Sequence, residues 1–445
     1  MPGKSLSPWT LGWFGSAVIF LLLALVLAFV CDLGPGDWAR PQALAVVHLF
    51  TLGWLAQVML GALVQFVPVL TAYPLPRPAL ALPALLATGA GTLALSAGFL
   101  GLDGHTGMQV LFRIAPLVLG CGFALVAVMI LPSLARKANL HLIEVRMVLI
   151  ALAGLAGLWT TGGAMVLTLG GASLTVDLAQ MLPLHMLFGI GAFLSFAAFG
   201  VSYKLFAMFL LAPETAGWQR RWVGGLAAVC AVLMLAALAV ALSGAFAAPI
   251  RLALSLPALA LCGLYLDDIR RLWRNRRRPA LEPNMAWSRV ALVFLGLSAA
   301  LLPLAQWQGG RMAEAAVFAA LVGWLSTLTL SQLIRITSFL TWIQVFAPLI
   351  GRRKVPVVQQ ISDRVTASRA LALWSASTGL GVASLLFGSH IAFRLALAGL
   401  FLAAAAIARE LVAIRKLWHL PVADRPPCLP PIIRPSVHPL SVAEP

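Results

Sequence analysis

The sequence predicts an all-α integral membrane protein of twelve transmembrane helices in three pseudo-repeats of four, with both termini cytoplasmic. Three observations predict it. The 445 residues are 61% hydrophobic and only 10% charged, far from the composition of a soluble globular chain. The apolar runs divide into segments of about 20 residues, the length that crosses a bilayer. Finally, Gly323–Arg352, GWLSTLTLSQLIRITSFLTWIQVFAPLIGR, has two weaker echoes, GWLAQVMLGALVQFVPVL at Gly53–Leu70 and AFLSFAAFGVSYKLFAMF at Ala192–Phe209.

With Gly61, Gly200 and Ser331 superposed, the echoes lie 139 and 131 residues apart, and Gln65, Lys204 and Arg335 share one position. The spans fall at roughly 9–31, 44–70, 78–101, 108–135, 147–171, 179–211, 223–247, 249–266, 287–304, 314–348, 369–388 and 391–413. Four spans per copy place the echoes on the second, sixth and tenth helices. The pseudo-repeats then cover about 9–135, 147–266 and 287–413 of one domain, 1–415. A tail at 416–445, rich in proline and without apolar period, reads as disordered.

Met1–Pro8 is too short to hold the charged and apolar regions of a cleavable signal, so the first span is expected to remain in the mature chain. The net charge of +17 is a topology signal rather than a nucleic-acid footprint. Of 31 Lys and Arg, 24 lie near the termini and the loops after even-numbered spans, five lie at the opposite face, and Lys204 and Arg335 lie inside spans. Basic residues collect on the cytoplasmic side. The run Arg270–Arg278 in the loop after the eighth span would meet anionic lipid headgroups. Five scattered cysteines without a CxxC pair indicate neither a disulfide framework nor a thiolate metal site.

Along the chain, the short loop DLGPGDWARPQA leads into the second span, VVHLFTLGW, with His48 about a turn inside the outer face. Gln65 is about 25 Å deeper at 1.5 Å per residue, too far to share one small site with it. His105 and His141 sit in polar loops and read as solvated. The sixth span opens MLPLHMLFGIGAF, so His185 also stands near the outer face, while Tyr203 and Lys204 approach the cytoplasm, where the Lys204 ammonium can snorkel. Arg335, deep in LSQLIRITSF, needs polar partners, and Gln332 lies near it in sequence. His438 and Cys428 fall in the tail.

Walker, GxGxxG, GxSxG and HExxH motifs are missing from the sequence, and Asp177 and Glu314 lie only at helix ends. That gives little ground for soluble-enzyme chemistry or an intramembrane carboxylate relay. His48 and His185 remain. Each reads either as a packed polar residue or as a haem or metal ligand, since neutral imidazole is the usual axial ligand. The alignment counts against joint ligation: His48 matches Leu187 and His185 matches Val46. Two residues are about 200° of helix rotation, so strictly equivalent helices would point the histidines in nearly opposite directions.

Twelve spans, three repeats of four and a histidine near the outer end of the second span, followed by Gly53-Trp54, resemble subunit I of the haem–copper oxidase superfamily. GVSYKLFAMF and IRITSFLTWIQVFAPLIGRRKVPVVQQI are similar to segments of oxidase-like and NnrS-type membrane proteins, a haem- and copper-associated group linked to nitrosative stress. The resemblance implies that His48 is an axial ligand of a low-spin haem b, with His185, Met186 or Met181 as the second ligand. It gives no ground for copper. Val223–Phe246 and Glu314–Pro348 hold no histidine, and nothing near His185 reproduces the copper-site motif, so the binuclear centre that reduces dioxygen or nitric oxide is missing. The implied function is a non-catalytic haem- or metal-associated protein of the bacterial inner membrane, in respiration or a nitric-oxide response. The alternative is a transporter of a small solute, such as an anion, or of a metal, through a path lined by the second, sixth and tenth helices, in which Gln65, Tyr203, Lys204, Gln332 and Arg335 form a cytoplasmic-side polar ring.

Overall fold

The computed structural model describes residues 7–104, 106–172, 176–213, 217–352 and 354–426. Among them, twelve helices are long and apolar enough to cross a membrane: α1 (Trp9–Val30), α2 (Pro41–Thr71), α3 (Pro78–Gly101), α4 (Gly107–Leu134), α5 (Ile143–Leu169), α6 (Leu178–Leu210), α7 (Trp218–Leu242), α8 (Ala248–Arg274), α9 (Pro283–Gln308), α10 (Gly310–Leu349), α11 (Arg364–Phe387) and α12 (His390–Arg415). The all-α membrane architecture is therefore as the sequence predicts. His105, and the tail from residue 427 with Cys428 and His438, lie outside the described residues.

The helices α2, α6 and α10 are the longest, at 31, 33 and 40 residues, and 72%, 72% and 83% of their most apolar windows are buried, against 56% or less in the other nine. They form the centre of the bundle, which is why their lipid-like composition is interrupted by polar side chains that need protein partners. Each also contains a π-helical segment: Leu49–Ala56, Leu187–Leu194 and Ala319–Ser326. In the repeat alignment the first and third coincide and the second begins one residue early. A π turn leaves backbone carbonyls poorly paired. Ser195 and Ser326, which share one alignment position, donate to the carbonyls five residues back, Ile190 and Leu321; the first copy has Ala56 there. The indole of Trp54 then donates to Ser326 at 3.0 Å, tying α2 to α10 at the core.

Small residues let the surrounding helices close on this centre. A Cβ on Gly154 would stand 2.7 Å from the Phe193 backbone nitrogen, so α5 lies directly against the π segment of α6. Proline opens α2, α3, α8 and α9 near their first turns, where its missing N–H costs nothing. Asp177, Asp363 and Ser389 cap α6, α11 and α12 by accepting from backbone N–H groups.

Two boundaries differ from expectation. Arg270, Arg271 and Arg274 belong to the last turns of α8 rather than to a loop, because Asp267 pairs with Arg270 and Arg271 at 2.8 Å one turn away. The chain from 416 to 426 packs instead of forming a free tail. Leu417 and Leu420 are buried, and the His419 ring meets the Glu410 carboxylate at 3.1 Å.

Candidate functional site

His48 and His185 come together. Their ring centroids are 6.3 Å apart with planes inclined by 35°. The expectation that opposite local directions would separate them is corrected by geometry. Around a shared centre, two neighbouring helices meet side chain to side chain only when one points clockwise and the other anticlockwise, which are opposite directions in their own frames. The π segments do not produce the match, since both helices carry one.

The Nδ1 atom of His48 lies 2.7 Å from the Leu44 carbonyl. A carbonyl only accepts, so Nδ1 holds the proton and Nε2 carries the lone pair. For His185, Nδ1 is 3.3 Å from Thr161 Oγ1. That hydroxyl donates to Gly157 at 2.7 Å, so it accepts from His185, which takes the same tautomer. The Leu158 backbone carbonyl is a further hydrogen-bond partner of the His185 ring, and the bonds to Leu44 and Thr161 use Nδ1 of each ring rather than Nε2. Phe99 stacks on His48 at 4.9 Å and fixes its plane, and Gly162 leaves room for the His185 ring, which a Cβ there would approach to 2.7 Å. Ligand imidazoles are held in this way, by a bond at Nδ1–H.

Both rings face a cavity of about 1190 Å³ whose wall is mostly apolar, with Phe123, Phe193, Phe199 and Trp324 among its residues. It reaches the surface at the end of the bundle where the even-numbered helices begin, beside Trp38, Phe246 and Trp307, which are 53%, 70% and 82% exposed. Met186 lines the cavity, whereas Met181 is packed with Leu184 and Ala237 in a separate cluster. Of the candidate second ligands, His185 is the one that faces His48.

An imidazole nitrogen stands about 2.0 Å from a bound metal and about 1.2 Å from its own ring centre, so end-on ligation by two rings needs centroids about 6.4 Å apart. The observed separation fits. Among the described residues no three His, Cys, Asp or Glu converge on one point. The pair therefore suits a group that brings its own equatorial donors, as a porphyrin does.

The expected polar ring divides between neighbours. Gln65 accepts from Thr10 on α1 at 3.2 Å, Tyr203 donates to Asp268 on α8 at 3.1 Å, and Gln332 reaches Asn284 and Ser288 on α9. Arg335 pairs with Glu282 at 3.0 Å, just before α9. The hydrogen-bond and ion-pair partners named for these four lie outside α2, α6 and α10, although the Arg335 guanidinium also stands 5.7 Å over the Phe209 ring of α6, and Lys204 sits beside Tyr203 in sequence, half-buried. The sequence reading missed Glu282 because it lies 53 residues from Arg335, in a basic loop where it looked like a solvated charge. It also missed Thr161, one of several hydroxyls in an apolar helix, and Arg251, whose place in the cavity wall has no local signal.

The chain matches no protein-family model, and no curated protein is significantly similar to it in sequence.

Proposed function

We propose that the chain is a non-catalytic haem protein of the bacterial inner membrane, acting in respiration or in a nitric-oxide response, with haem b held between His48 and His185. The observation that carries this reading is the histidine pair: 6.3 Å between ring centres, both Nδ1 atoms bonded, on the wall of a large apolar cavity. When bound, such a group supplies reversible one-electron chemistry at iron. The protein's part is to fix the two imidazoles in one tautomer and to surround the site with apolar walls that exclude water. The exposed arginines of the Arg270–Arg278 run, at the far end of α8, would rest on anionic headgroups.

The test is the visible spectrum of purified protein, oxidised and reduced, beside His48→Ala and His185→Ala. A Soret band lost in His48→Ala and altered in His185→Ala is expected. A colourless wild type from haem-replete cells would overturn the proposal and favour the transporter reading, for which uptake by Arg335→Gln is the next measurement.

A further inference from the structure

Among the described residues, the cavity that holds the two histidines has one cationic side chain in its wall, Arg251, in the first turn of α8. Among the described residues its polar contact is a hydrogen bond from Nη1 to the Gln180 carbonyl at 3.3 Å. It forms no ion pair among the described residues. A guanidinium carries five donors, and a half-buried cation in a bilayer-spanning bundle ordinarily finds a carboxylate or several carbonyls. Two carboxylates do line the same cavity, but they are used elsewhere. Asp37 accepts from the Gly34 N–H and pairs with Arg40, and Glu314 accepts from the Gly36 N–H at 3.1 Å. The acidic side chains are thus taken up by the α1–α2 connection while Arg251 keeps spare donors.

Its position suits a head group rather than a chemical step. Gln180 precedes His185 by five residues on α6, so the bonded carbonyl lies about 7.5 Å along the helix from the histidine, toward the open end. That offset compares with the span from the middle of a porphyrin to its propionate arms. Gln180 is itself anchored, its amide donating to Asp177 at 3.2 Å and accepting from the Ala247 N–H at 3.3 Å, so the support of the guanidinium is fixed before anything binds.

We infer that the cavity takes an amphiphilic carboxylic acid, with its apolar body among the aromatic walls and its carboxylate on Arg251 at the mouth. Resting on the haem reading above, the inference makes the haem propionates the first source of that carboxylate; a free long-chain fatty acid is the second.

Full-length protein in detergent is titrated with hemin and with hemin dimethyl ester, which keeps the iron and the ring but has no carboxylate. Soret absorbance is the readout, and Arg251→Gln and Arg251→Lys are run alongside. Wild type should prefer the free acid by about tenfold, the size of a charge-assisted hydrogen bond. Arg251→Gln should bind both forms alike, and Arg251→Lys should keep part of the preference. Equal binding of acid and ester by wild type overturns the inference without any variant, so a misfolded Arg251→Gln cannot shield it. If neither form gives a Soret shift, the haem reading fails on its own. The second arm then decides: a fluorescent stearic acid and its methyl ester, with discrimination by wild type and none by Arg251→Gln supporting the carboxylate site, and none in either overturning it.

Discussion

The His185 ring sits in a notch that a single methyl group would fill. A Cβ on Gly162 would come within 2.7 Å of the ring carbon Cε1 and 3.1 Å of Nδ1, whereas one on Gly163 would meet only Pro116 at an ordinary 3.7 Å. Gly162→Ala must therefore turn the ring and break its bond to Thr161. Groups that orient a ligand typically change affinity by 10- to 100-fold, so about tenfold weaker hemin binding is expected, with Gly163→Ala unchanged. Equal binding by both variants would show that the ring's orientation is immaterial. At the other end of the bundle, Glu282 receives Arg278, Arg335 and Gln359. The Arg335 and Glu282 side chains are only 13% and 12% exposed. Glu282→Gln leaves a buried cation without its carboxylate, which costs on the order of 3–5 kcal/mol and should lower the thermal unfolding temperature well beyond that of Arg277→Gln, an exposed neighbour. Both histidines were visible in the sequence as polar residues in apolar runs. Their meeting was not, because it depends on how α2 and α6 stand around the bundle centre, which no local pattern encodes.

At the scale of the helix, the sequence placed the spans to within about five residues at each end, except that α8 runs on to Arg274 where the apolar run stops at 266, since apolar length is a direct consequence of bilayer thickness. The π segments escaped it: an extra residue in a turn leaves the hydrophobic pattern of a fully buried helix unchanged. The trace they do leave is the serine at 195 and 326, which bonds back across the wide turn. Ser326→Ala removes both that bond and the acceptor of the Trp54 indole, stranding a buried N–H. A loss of about 1–3 kcal/mol is expected, read as a fall in thermal stability larger than that of Ser375→Ala, whose hydroxyl only bonds back along α11. The α11 cap behaves differently with pH. Asp363 accepts from Thr366 and from the Val365 N–H, and these bonds hold its carboxyl below the usual carboxylate range. A folded-state value below the unfolded one adds stability above the ordinary carboxylate pKa, and that stability is lost as pH falls through the folded value. Asp363→Ala should therefore cost about 1 kcal/mol near neutrality and progressively less below about pH 4, whereas a constant difference from pH 7 to pH 3 would rule out the charged cap.

For the whole molecule, the direction in which the cavity opens follows from charge rather than from packing. The end of the bundle that holds His48, His185 and the cavity mouth carries Arg40, Arg113, Arg251, Arg311 and Arg394, while most of the other basic side chains among the described residues lie at the opposite end or near it. Cytoplasmic loops gather Lys and Arg, so the histidine end should face away from the cytoplasm and a ligand should load from that side. Two exposed positions report on it: Asp103, beside the mouth, and Lys137, in the connection between α4 and α5 at the other end. In a background with Cys31, Cys121, Cys230, Cys262 and Cys428 replaced by serine, Asp103→Cys should react with a membrane-impermeant maleimide in intact cells, and Lys137→Cys only after permeabilisation. The reverse pattern would turn the cavity toward the cytoplasm. The basic surplus would then face outward, against the bias that orients most multi-pass proteins, and Arg251 would draw its carboxylate from the cytoplasmic pool instead.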